Sequence, residues 1–168
     1  MKKTIRFFAF SALLLIFQLA EAQQVYYVDQ VSGNDLNSGT STAAPWKNLT
    51  KLYNLTLSPG SSILLKCGSV WNGEQLKFLG SGSSANPIIV DQYGTGVKPI
   101  LNGNGLTTAN QGVVYLYNQD YIEINNDIII NSCYIKQYDE IHDLYILKVS
   151  TSYETAFTMN GSFFVYSY

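Results

Sequence analysis

The stretch from Ser62 to Asn126 reads SILLKCGSVWNGEQLKFLGSGSSANPIIVDQYGTGVKPILNGNGLTTANQGVVYLYNQDYIEINN, one short phrase given nearly three times. Ile63-Leu64-Leu65, Ile88-Ile89-Val90 and Val113-Val114-Tyr115-Leu116 are apolar runs that start at positions 63, 88 and 113, an even step of 25. Between them lie Leu76-Lys77-Phe78-Leu79, Pro99-Ile100-Leu101 and Tyr121-Ile122-Glu123-Ile124, which start at positions 76, 99 and 121. Each run is strand-sized, and Gly, Ser and Asn fill the gaps. Such a period, in strands too short to bury themselves, is the mark of a solenoid. A single coil has no inside. Stacking coils about 4.8 Å apart closes an apolar column and pairs each backbone group with the coil above and below. The pattern therefore predicts an all-β chain, a parallel β-helix of stacked short strands. The competing architecture is an antiparallel sandwich with turns every eight to twelve residues or so. The shared phase predicts that Leu64, Ile89 and Val114 stack in one inward column.

Outward from the repeat, the chain divides into four parts. Residues 1–22 read as a signal peptide: Lys2, Lys3 and Arg6, then an apolar run from Phe7 to Leu19, then the small-x-small site Ala20-Glu21-Ala22. Cleavage after Ala22 would deliver the protein to the periplasm, the cell surface or the medium. Residues 23–60 read as an N-terminal cap: a strand at Val25–Val28, a polar loop, and a helix of two to three turns begun by Pro45. Trp46, Leu49 and Leu52 would form the inward face of that helix, which serves as the lid of the stack. Residues 61–126 are the coils.

Residues 127–168 depart from the pattern. No Gly occurs from Val113 to Asn160, and the spacing predicts a strand near residue 138 where the chain reads Gln137-Tyr138-Asp139-Glu140. Residues 156–165 read as a β-hairpin about Asn160-Gly161. The tail is irregular, as in a chain cut short or frame-shifted near residue 127. The alternative is a small β-protein closed by its final hairpin. An uncapped end would invite self-association, because Phe163, Phe164, Val165 and Tyr166 carry no charge.

Composition excludes several function classes. The chain carries a net charge of −2. Lys2, Lys3 and Arg6 against Glu21 leave the leader at +2, so the rest stands at −4, with seven Lys and no Arg. That surface has no footprint for nucleic acid. No second apolar run is long enough for a membrane span. The separation of Cys67 from Cys133 is not a whole number of repeats, so the repeat does not bring them into register. With His142 they make no zinc site.

The order of the Val25 strand, "SGNDLNSGT", "APWKNL", "LSPGSSILLKCGSVWNGEQL", "GSGSSANPIIVDQYGTGVKPILNGNG" and "YLYNQDYIEINN" resembles the N-terminal region of right-handed parallel β-helix proteins of the pectate-lyase-like superfamily. The resemblance runs from about Val25 to Asn126. It implies an exported, polysaccharide-active protein, a lyase or a glycosidase, or a non-catalytic surface relative. Cys67 departs from it, since such proteins commonly place a basic residue there.

Catalytic chemistry is not legible. A β-eliminase needs a cation for the uronate, a base and an acid, and Lys66, Lys77 and Lys98 lie at different points of the coil. A glycosidase needs two carboxylates facing one groove. Glu74, Asp91, Asp120 and Glu123 read as solubilising groups. Asp35 and Asn37 give D-x-N-x-G, like the first half of a Ca²⁺ loop, but its closing acid is missing. The preferred reading makes them caps of local N–H groups. Trp71, Tyr93 and Tyr117 are the aromatic candidates for contact with a polysaccharide.

Overall fold

The computed structural model describes residues 23–104, 113–125, 128–130, 133–136, 144–147, 157–160 and 163–166. The leader and the strand expected near residue 138 lie outside the described residues. The fold is mostly β, its strands parallel, with almost no helix. The strands are β1 (Val25–Val28), β2 (Ser62–Lys66), β3 (Val70–Asn72), β4 (Ile88–Tyr93), β5 (Ile100–Asn102) and β6 (Val114–Tyr117). They continue as β7 (Ile122–Ile124), β8 (Ile129–Ile130), β9 (Cys133–Lys136), β10 (Leu144–Leu147), β11 (Phe157–Asn160) and β12 (Phe163–Tyr166).

Among the described residues these strands form three sheets, ordered β1-β2-β4-β7-β10-β12, β3-β5-β8 and β11-β9-β6. The chain visits them in rotation: β4, β5 and β6 fall in three different sheets, and so do β7, β8 and β9. A parallel pair cannot be closed by a tight hairpin, so each return to a sheet needs a long connection. Here the other two sheets supply that connection.

The register differs from the even spacing of the sequence. Ser62 pairs with Ile89, and Ile88 with Ile122, so successive offsets in the large sheet are 27 and 34. Val114 does not join that sheet. It pairs with Cys133 in β9 and bridges Leu76. The inward column is therefore Tyr26, Ile63, Val90 and Ile124, each opposite the next and each at most 7% exposed. Leu64 and Ile89 turn to the outer face. The even spacing fails because hydrogen bonds fix the strands, whereas the loops between them vary in length. Trp71 and Leu101, paired across β3 and β5, and Leu76, Val114 and Leu116 fill the core from the other two sheets.

Two further expectations are corrected. The helix after Pro45 is a single 3-10 turn, Leu49–Leu52. The Trp46 N–H donates to the Tyr27 carbonyl (2.9 Å) and its carbonyl accepts from the Asp29 N–H (2.8 Å). This bridging holds the chain extended up to Asn48, so no longer helix can start. Trp46, Leu49 and Leu52 are all buried nonetheless. The second correction concerns the C-terminal hairpin. β11 pairs in parallel with β9 and β12 in parallel with β10, in different sheets. The two strands share no hairpin because each is taken up by the strand stacked below it.

Candidate functional site

The cap loop is held by Trp46. Its indole stacks on Tyr26 (5.1 Å between ring centres, 16° between planes), and its Nε1–H donates to the Asn37 carbonyl (2.9 Å). Gly39 lies against the indole with φ +73°, and a Cβ there would stand 2.3 Å from the ring. Only glycine accommodates both demands.

Asp35 sits at the end of this loop. Its Oδ1 accepts the N–H groups of Lys47 (2.9 Å) and Asn48 (3.0 Å), and its Oδ2 accepts the Asn48 amide (2.6 Å). The neighbouring N–H, that of Leu49, donates to Glu74 Oε2 at 2.8 Å. Burial pushes Asp35 up, but the N–H groups of Asn48 and Lys47, the Asn48 amide and the charge of Lys51 outweigh it and hold the carboxyl below its usual value. Glu74 moves the other way. Burial raises it, the Leu49 N–H opposes, and the charge of Asp35 adds to the rise. Asn37 does not cap an N–H: its Nδ2 donates to the Pro45 carbonyl (2.8 Å). Both side chains of the D-x-N-x-G loop are thus engaged within the protein. No group of three or more potential metal ligands converges among the described residues.

The aromatic candidates lie apart. Trp71 is fully buried, with its Nε1–H donating to the Lys47 carbonyl (3.1 Å), and it offers no face to a sugar. A ring on the inward face of a three-residue strand becomes core, which corrects its reading as a contact. Tyr93 is half-buried on the outer face of the large sheet. Tyr27 packs on it edge to face, with 5.2 Å between ring centres, and Lys66 Nζ lies 5.1 Å from its ring centre. Its hydroxyl is buried without a hydrogen-bond partner. Burial first, then the charge of Asp29 and the nearby Tyr27, push it up to about 12. Cys67 is a buried free thiol, with Sγ 3.2 Å from Gln92 Oε1 and 3.4 Å from the Gly94 carbonyl.

Tyr117 is different: it is 47% exposed at the rim of a hollow of about 220 Å³. Lys77, Phe78, Leu79, Tyr115 and Gln119 complete the lining. The parallel bridge between Leu76 and Val114 sets Lys77 beside Tyr115. Lys77 Nζ lies 5.1 Å from the Tyr115 ring centre and 5.9 Å from that of Tyr53, so the ammonium is held between two rings. Gln119 is buried. Its Nε2 donates to the Gly80 carbonyl (2.7 Å) and fixes the floor. The sequence offers Lys77 only as one of three lysines for elimination chemistry, and it does not offer Gln119 at all. Only alternation could have pointed to Lys77, as the outward residue between Leu76 and Phe78, and nothing in the sequence singled out Gln119.

No family model matches this chain. Over 101 residues it is 38% identical to the lacto-N-biosidase of Bifidobacterium longum subsp. longum, a match covering 57% of this chain and 6% of that protein. Two crystal structures of the GH136 lacto-N-biosidase from Eubacterium ramulus, native and selenomethionine forms, are similar in fold. Their TM-scores are 0.55 and 0.54, both at 23% identity, over 76% and 84% of this chain and 27% of theirs. The chain thus spans a small part of these relatives. Its homologues are lacto-N-biosidases, carbohydrate-active proteins of a glycoside hydrolase family, matched over part of their length.

Proposed function

We propose that this chain is the N-terminal cap and first coils of an exported parallel β-helix protein that processes glycans by hydrolysis. The observation that carries the reading is the 38% identity over 101 residues to a lacto-N-biosidase. The β-helix assignment is supported by the rotation of the chain through three parallel sheets. A parallel β-helix is also what the resemblance to the pectate-lyase-like superfamily implied. Handedness follows the general rule that parallel crossovers are right-handed. A hydrolase is favoured over a lyase because the relatives are glycosidases. Residues 1–22 act as the export signal and residues 23–60 as the cap.

Within the described residues the two coupled carboxylates, Asp35 and Glu74, are spent on backbone N–H groups. The catalytic pair of a glycosidase is assigned to the part of the relatives' length that this chain does not cover. The second reading, a non-catalytic glycan-binding β-helix, draws on the exposed ring of Tyr117. The polypeptide encoded by the whole gene decides between them when assayed on oligosaccharides and on pectic and alginate polymers. Release of reducing sugar without unsaturated uronate supports the hydrolase. Unsaturated products would overturn it in favour of a lyase, and binding without any product would leave the second reading standing in its place.

A further inference from the structure

We infer that the hollow bounded by Lys77, Leu79, Tyr115 and Tyr117 is a non-catalytic subsite that holds one pyranose ring of a glycan; this rests on the carbohydrate-active reading above. Tyr115 and Tyr117 occupy alternate positions of β6, and the residues between and beside them, Val114 and Leu116, are buried. Both rings therefore stand on the outward face, about two residues of strand rise apart, or roughly 6.5 Å. Leu79, itself 48% exposed, also lines the hollow. A tyrosine ring offers a rigid apolar surface with a polar tip, and the C–H face of a pyranose offers the matching apolar patch with hydroxyls at its edge.

Lys77 supplies what an aromatic wall lacks. Its ammonium carries three donors and no acceptor, and the rings of Tyr53 and Tyr115 hold it at the rim. From there it can donate to a hydroxyl or ring oxygen of the bound sugar. No carboxylate lines the hollow among the described residues. Without the carboxylate pair that glycoside hydrolysis uses, the site is assigned to binding and orienting a glycan.

The test is a titration of the full chain, followed by NMR or intrinsic tyrosine fluorescence, with methyl β-galactopyranoside in one arm and galacturonate in the other. The expected result is binding of the neutral pyranoside with Kd of about 1 mM, weakened at least about tenfold by Tyr117→Ala and retained by Tyr117→Phe. Lys77→Met should weaken it less than Tyr117→Ala. The melting temperature of each variant shows that the fold persists. Equal binding by wild type and Tyr117→Ala overturns the subsite while leaving the carbohydrate-active reading intact. Binding of galacturonate alone overturns it too, because charge pairing with Lys77 would then carry recognition. Absence of any binding also overturns the subsite, and the carbohydrate-active reading is then judged separately by product release from the whole-gene polypeptide.

Discussion

Asp35 and Glu74 divide three consecutive backbone N–H groups between them: Asp35 takes those of Lys47 and Asn48, and Glu74 takes that of Leu49. The 3-10 turn has no side-chain cap from its own Asn48. The two carboxylates, which come from the cap loop and from the corner after β3, supply one instead. They join the segment that carries the 3-10 turn to the corner after β3, 25 residues apart in the case of Leu49 and Glu74.

Their titrations should therefore oppose one another. Asp35 is held below its ordinary 3.8, so its contribution is present above that pH and is lost as pH falls through its lower folded value. Glu74 is held above its ordinary 4.5, so its contribution is present below that pH and fades as pH rises through the raised value. Asp35→Asn should flatten the acid limb of a melting-temperature profile, and Glu74→Gln the limb just above it. Asp35→Ala should cost about 1 kcal/mol as a lost cap. An unchanged acid limb in Asp35→Asn would show that the carboxylate bonds do not persist in solution.

Gly39→Ala should destabilise the chain by roughly 2 kcal/mol or more, since a methyl at positive φ would also press on the Trp46 ring. Chemical denaturation monitored by tryptophan fluorescence measures it. A variant as stable as the wild type would mean that the loop does not pack on the indole.

The register makes a paired prediction. Val90 is fully buried opposite Ile63 and Ile124, so Val90→Asp should abolish cooperative folding. Its neighbour Ile89 faces outward opposite Ser62 and Glu123, so Ile89→Lys should remain folded. Circular dichroism melts separate the two. The reverse pattern would restore the column read from the even spacing of the apolar runs.

Trp71→Ala should cost about 3–5 kcal/mol through loss of a buried ring, as read by denaturant titration. A loss below about 1 kcal/mol would place the ring at the surface and return it to the candidates for glycan contact.

These residues show where the sequence was legible. The repeat of short strands and its turn chemistry carried the parallel, mostly β character, and Trp46, Leu49 and Leu52, read as one apolar face, are all buried. Register was not legible, because a period counted along the chain includes loops whose length no hydrogen bond fixes. Ile89 and Val90 look alike in composition, and a single-residue shift exchanges inside for outside. The hollow was hidden for another reason. Tyr117 could be named from its type, but Lys77 and Gln119 join it only through pairing between segments distant in the chain, as in the bond from Gln119 to Gly80. The parallel pairing of β11 and β12 was masked by Asn160-Gly161, a local turn signal that the stacked strands override.

The most direct measurement of the central claim is product analysis by mass spectrometry. Polypeptide encoded by the whole gene is incubated with a panel of neutral and uronate-containing oligosaccharides. The account predicts release of a free saccharide by addition of water across a glycosidic bond, with the products summing to substrate plus one water. Intact substrate after prolonged incubation, or products lighter by that water as elimination would leave, would contradict it.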